Sequence, residues 1–152
     1  LLPAVGKTAK TERDDGVFTH GSGHILVVDD EETVRRFLGR TLEKLGYIVS
    51  LCQDGVSAVE FFKGHHKDID LVLLDMIMPN LDGKGAFSKM KEIDPHVRVL
   101  IVSGYSTDKA AVECIRQGAL GFIAKPCQIE ELARSVALCM KTGKENPQAL
   151  LK

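Results

Sequence analysis

Four of the chain's short apolar runs end on residues able to do chemistry. Asp29 and Asp30 close "ILVVDD", Asp75 closes "LVLLD", Ser103 closes "VRVLIVS", and Lys125 follows "GFIA". Taken singly, each has an ordinary explanation. Asp-Asp-Glu-Glu suits a helix start, where carboxylates cap backbone N–H groups and complement the helix dipole. Asp75 suits a turn, Ser103 a strand end and Lys125 a solvated surface. Asp75 is the hardest to dismiss, because it stands inside "LVLLDMIMP". An isolated ionised carboxylate in apolar surroundings must be paired, protonated or moved to the surface.

If these residues meet, three carboxylates stand beside one ammonium and one hydroxyl. Carboxylates that close cannot all ionise unless they share a cation. Mg2+ answers that need, because it takes oxygen ligands, keeps several waters and accepts a phosphoryl oxygen. Mn2+ is the alternative. Asp30 and Asp75 would be direct ligands, Asp29 an outer partner, and the backbone carbonyl of Ile77 would complete the protein's share. A carboxylate can itself attack phosphorus and form an acyl phosphate. Phosphoryl transfer then depends mainly on positioning and on neutralising the phosphoryl oxygens. Lys125 would hold one such oxygen and Ser103 another, and Gly104 leaves room for a donor.

The positioning elements are legible as hydrophobic period. "HILVVDD", "YIVSLC", "LVLLD", "VRVLIVS" and "ALGFIAKP" read as strands. Between and after them, Val34, Phe37, Leu38, Leu42 and Leu45 recur at helical spacing, as do Val56, Val59 and Phe62, then Phe87 and Met90. "TDKAAVECIRQG" reads as a fourth helix, and Ile129, Leu132, Ala133, Val136 and Met140 mark a fifth. Gly46 stands where a helix C-cap would, and Asp94-Pro95 closes the third helix. Five βα units with strands apolar on both faces predict a doubly wound parallel sheet covered by helices on both sides. Ligands of such sheets bind at the strands' carboxyl ends, where the chemically able residues gather.

The 152 residues suit one domain with a real core. Lys and Arg number 20 against 21 Asp and Glu, so the balance of -1 calls for neither nucleic acid nor an anionic membrane. Cys52, Cys114, Cys127 and Cys139 form no CxxC pair, which reads as reduced thiols. No apolar stretch approaches the roughly 18 residues of a membrane span, and no secretory signal opens the chain, so a cytoplasmic location is expected. Residues 1–23 lack periodicity and read as a flexible linker, 24–143 as the domain, and 144–152 as a short tail. His20 and His24 have H-x3-H spacing, but outside a helix this reads as solvated histidines rather than a metal site. The opening on Leu1 suggests a fragment.

Together, "ILVVDDEE", "LVLLDMIMPNLDG", "VLIVSGYS" and "GALGFIAKP" resemble the receiver domains of two-component response regulators, over roughly residues 24–141. The resemblance implies the flavodoxin-like strand order 2-1-3-4-5. It implies that Asp75 accepts a phosphoryl group from a histidine kinase or a histidine phosphotransfer domain. Asp29 and Asp30 match the acidic metal-binding pair, Ser103 the switch hydroxyl and Lys125 the family's lysine. Phe122 matches an aromatic residue that changes rotamer on activation. Ile77 and Tyr105 fall at the positions that tune phosphoryl lifetime. Both are bulky, and neither carries a carboxamide or carboxylate to orient an attacking water, so a long-lived acyl phosphate is expected.

Such a domain would catalyse only its own phosphoryl transfer and dephosphorylation. It would signal by changing the face made by helix four, strand five and helix five, read by an output protein that the sequence does not identify. Phosphorylation-driven dimerisation remains open. "KENPQALLK" is too short to be an output domain. "LLPAV" before a polar linker, and "SGYS" after strand four, resemble the C-terminal receiver of a hybrid sensor histidine kinase. The alternatives are a stand-alone regulator, an unphosphorylated interaction module, and a haloacid-dehalogenase-like phosphohydrolase. The last requires DxDx(T/V), whereas Met76 and Ile77 follow Asp75.

Overall fold

The five strands are β1 (His24–Val28), β2 (Ile48–Cys52), β3 (Leu71–Asp75), β4 (Val99–Ser103) and β5 (Gly121–Ala124). They alternate with α1 (Glu32–Lys44), α2 (Gly55–His65), α3 (Gly83–Ile93), α4 (Lys109–Arg116) and α5 (Ile129–Thr142). All pairings are parallel, in the order β2-β1-β3-β4-β5, which is the flavodoxin-like arrangement expected. The computed structural model describes residues 21–104 and 109–142. The expected linker up to residue 20, His20, Tyr105 and the tail lie outside them.

The three interior strands explain why the sequence reads as near-continuous apolar runs. Leu26, Val28, Val72, Leu74, Val99 and Ile101 point to one face, where Phe62, Phe87, Met90 and Cys114 of α2, α3 and α4 cover them. Their neighbours Ile25, Val27, Leu71, Leu73, Leu100 and Val102 point to the other face, against Leu38, Leu42, Leu132 and Val136 of α1 and α5. Successive residues of a strand face opposite ways, so a strand with helices on both sides needs apolar side chains throughout.

The edges depart from that expectation. β2 is not apolar on two buried faces: Ile48 is 66% and Leu51 47% exposed, because among the described residues no strand pairs with the outer side of β2. β5, at the other edge, is only partly covered. Three residues assigned to packed helix faces also lie open, namely Phe37, Val56 and Ile129. Each stands in the first or second turn of its helix, close to the rim of the sheet. Periodicity records the side of a helix and not how far along it the sheet extends.

Local signals set the helix ends. Asp54 and Asp82 accept the backbone N–H groups of Ser57 and Gly85, at 2.7 and 2.8 Å, and so start α2 and α3. Gly46, just past α1, has φ of +103°, a conformation glycine adopts without strain. His24 lies in β1, where its ring meets the Ser50 hydroxyl at 2.7 Å. None of the four cysteines is joined in a disulfide, and Cys114 and Cys139 are buried. Among the described residues no helix is long and apolar enough to cross a membrane.

Phe87 is 1% exposed in the core under β3 and β4, whereas Leu138 is 49% exposed. Truncating a buried Phe leaves a cavity as well as losing burial, so Phe87→Ala is expected to cost about 3–5 kcal/mol. Leu138→Ala should stay within about 0.5 kcal/mol. Urea unfolding monitored by circular dichroism checks both values.

Candidate functional site

The carboxyl ends of β1, β3, β4 and β5 deliver their polar residues to one rim, beside the point where the strand order reverses between β1 and β3. Asp29 continues β1 by donating its N–H to the Cys52 carbonyl at 3.2 Å. Its own carbonyl accepts from Arg35 Nη1 at 2.8 Å, and its Oδ1 accepts the Glu31 N–H at 2.9 Å. These bonds hold Asp29 in the rim at 1% exposure, while Asp30 turns outward. Asp75 ends β3. It is 4% exposed, so this strand end is covered rather than open to solvent, and of the three ways to keep a carboxylate there the protein uses pairing and not the surface.

Lys125 does the covering. Its ammonium lies 2.9 Å from Asp29 Oδ2, 3.3 Å from Asp75 Oδ1 and 3.5 Å from Glu31 Oε1. Its backbone N–H donates to the Ser103 carbonyl at 2.8 Å, and its peptide bond to Pro126 is cis. Ser103, fully buried, pairs with Ala124 across β4 and β5. Gly104, next in the chain, is exposed, with open space where a Cβ would stand. Phe122 of β5 is half-buried and packs on the core under α2, α3 and α4.

The loop from β3 to α3 closes tightly over Asp75. The Gly83 N–H donates to the Met76 carbonyl at 2.9 Å, and a Cβ on Gly83 would collide with the Asp75 carbonyl oxygen. One on Gly55 would collide with that of Leu81. Ile77 places its N–H on the Asp75 carboxylate and its side chain, 58% exposed, in solvent.

Burial, followed by the nearby Asp29 charge, pushes the Asp75 carboxyl up to about 6, although Lys125 and the Ile77 N–H pull the other way. For Lys125, burial works to lower its affinity for the proton, but Asp29 and Asp75 outweigh it and raise the ammonium above its ordinary value. One ammonium does not balance three carboxylates. The carboxylate oxygens of Asp29, Asp30 and Asp75 can all lie within 4.8 Å of one another. Asp29 Oδ2 is buried against the Lys125 ammonium, its one close cationic neighbour among the described residues. An all-oxygen set of three carboxylates facing a single ammonium fits a hard divalent cation such as Mg2+.

The structure thus brings together Asp29, Asp30, Asp75 and Lys125, with Ser103 and Gly104 at the adjoining strand end. Ile77 stands on the rim, Phe122 is set back in β5, and Tyr105 lies outside the described residues. Sequence reasoning did not single out Glu31, Arg35, Gly55, Gly83 or the cis bond. The run of turn residues in "PNLDG" was the available signal for Gly83.

A flavodoxin-like α/β domain with an acidic pocket at its switch point is the class that fold and site define. Residues 25–137 match the response regulator receiver domain family, and the chain belongs to it. It is a receiver of two-component signal transduction, and its Asp29, Asp30 and Asp75 pocket implies phosphorylation-dependent signalling. The chemotaxis protein CheY of Treponema pallidum is 32% identical over 77% of this chain and 82% of its own length. The sensor kinase CckA of Brucella abortus is 31% identical over 88% of this chain, which spans only 14% of that protein. Among solved structures, a CheX–CheY complex with BeF3 and Mg2+ from Borrelia burgdorferi matches with a TM-score of 0.72 and 31% identity, covering 75% of this chain and 86% of that one.

The raised Asp75 value has a consequence for stability. Between the ordinary value of 3.8 and about 6, the folded protein holds a proton that the unfolded chain releases. Its contribution is therefore full below pH 3.8 and is lost as pH rises through about 6. Without divalent cations, Asp75→Asn should be more stable than wild type by up to about 3 kcal/mol near pH 8. That gain should shrink towards zero near pH 4, as measured by denaturant midpoints across the pH range.

Proposed function

We propose that Asp75 is the phosphoacceptor, receiving its phosphoryl group from the phosphohistidine of a histidine kinase or a histidine phosphotransfer domain. The observation that carries this reading is the Lys125 ammonium between the Asp29 and Asp75 carboxylates, with Asp30 beside them. Asp30, Asp75 and the Ile77 carbonyl would hold Mg2+ or Mn2+. Asp29, whose oxygens already meet the Glu31 N–H and Lys125, would support from behind. The bound cation supplies charge neutralisation to the acidic cluster and to the phosphoryl oxygens.

The chain's own residues do the rest. A carboxylate oxygen of Asp75 forms the new O–P bond as the donor's N–P bond breaks and the imidazole leaves with the electron pair. Lys125 and the Ser103 hydroxyl each take a phosphoryl oxygen, and Gly104 keeps the approach open. A groove of about 600 Å3 leads to Lys125 between Thr33, Val34 and Phe37 on one side and Pro126 and Cys127 on the other. It gives the open Phe37 a use, as a seat for the donor protein.

Movement of Ser103 towards the phosphoryl group would free space for Phe122 to turn inward. The α4, β5 and α5 face would then change shape, and an output partner with unequal affinity for the two shapes would read the charge state. Residues 24–143 form this module, between a linker and a short tail. Similarity to CckA over 88% of the chain supports a hybrid sensor kinase as the parent. The coverage of stand-alone CheY proteins supports a single-domain regulator as the second reading.

Intact-mass measurement after incubation with Mg2+ and acetyl phosphate should add one phosphoryl group to wild type and none to Asp75→Asn. No addition, or equal addition to both proteins, would sink the assignment. Once formed, the acyl phosphate should last minutes or longer, because neither Ile77 nor Tyr105 carries a carboxamide or carboxylate to orient an attacking water. Phosphate release within seconds would contradict that role.

A further inference from the structure

The Glu31 side chain has no part in the scheme above, yet it reaches the same ammonium. Its Oε1 lies 3.5 Å from Lys125 Nζ, and its side chain is 63% exposed, against 1% for Asp29 and 5% for Asp75. Asp29 and Asp75 are therefore buried partners of Lys125, and Glu31 is its partner at the mouth. The backbone fixes Glu31 there, since its N–H is bound to Asp29 Oδ1 and its carbonyl accepts the Arg35 N–H at 2.9 Å. Glu31 also stands at the N-cap of α1 without making a side-chain cap bond, so helix capping does not account for its carboxylate. It lines the groove that leads to Lys125.

We propose that Glu31 is a specificity-determining residue for phosphoryl transfer, which acts through Lys125 and disfavours donors that carry more negative charge. This rests on Asp75 being the acceptor. With Mg2+ bound, the cation and the Lys125 ammonium balance Asp29, Asp30 and Asp75, and Glu31 adds a fourth, uncompensated carboxylate at the groove that leads to them. An arriving phosphoryl group competes with Glu31 for Lys125 and is repelled by it. Both effects grow with the donor's charge.

Two small donors separate this effect from general damage. Acetyl phosphate is a dianion at neutral pH, and phosphoramidate carries one net negative charge because its nitrogen is protonated. With either, an Asp75 oxygen forms the O–P bond. The bond to the leaving group breaks, and acetate or ammonia departs with the electron pair.

The test measures Asp75 phosphorylation rates with Mg2+ for wild type, Glu31→Gln and Glu31→Asp. A charge interaction at an exposed site is worth roughly a fivefold change in rate. Glu31→Gln should speed phosphorylation by acetyl phosphate by about that factor, and by phosphoramidate by roughly half as much. The gain should fade in high salt, and Glu31→Asp should keep the wild-type ratio of the two rates. The 15N shift of the Lys125 ammonium, recorded without donor or metal, should move in Glu31→Gln. An unchanged donor ratio, or an unmoved Lys125 signal, overturns the proposal while wild type still accepts phosphate. If wild type accepts none, the acceptor reading falls first and takes this inference with it.

Discussion

Everything at the site depends on one buried charge arrangement, the Lys125 ammonium held between the Asp29 and Asp75 carboxylates. Asp29 and Asp75 are almost completely buried, and burying either charge without a partner would be strongly unfavourable, so each depends on the ammonium it faces. The arrangement is nevertheless incomplete. Asp75 remains pushed up to about 6, and three carboxylates still face one ammonium. The fold thus holds a surplus of negative charge ready for a cation. That surplus destabilises the bare protein and prepares it for binding.

The sheet is what allows such a costly arrangement. β1, β3 and β4 are buried on both faces, and their parallel register delivers Asp29, Asp75 and Ser103 to a common end without any loop having to reach. The loop after β3 is locked by Gly55 and Gly83, where any side chain would strike a backbone oxygen. Rigidity below and a tight loop above leave Lys125 as the long side chain that completes the rim. A lysine with several rotatable bonds is suited to a site where the anion it holds must change.

The pocket's openness is equally a matter of where packing stops. Phe37 and the start of α1 lie beyond the edge of the sheet, so an apolar side chain borders the way to Lys125 in place of joining the core. Glu31 sits on the same border. Helix α1 thereby contributes to both jobs: Leu38 and Leu42 anchor it to the sheet, and its first turns face the site.

The sequence by itself determined the five βα units, the two-sided burial of the interior strands and the chemical character of the strand ends. Those properties follow from hydrophobic period and from residue type, which are local. It also carried the motifs that mark the receiver family. What only the tertiary structure decided was distance and depth. Glu31 lies 94 residues from Lys125 in the chain, and no periodicity could announce that they meet. Whether Asp75 is paired, protonated or at the surface is undecided in sequence until Lys125 is laid across it, and Phe37, Val56 and Ile129 read as core until the sheet is seen to end before them. Burial and ion pairing depend on which segments pack together, and that is settled by the assembled fold rather than by any one stretch of it.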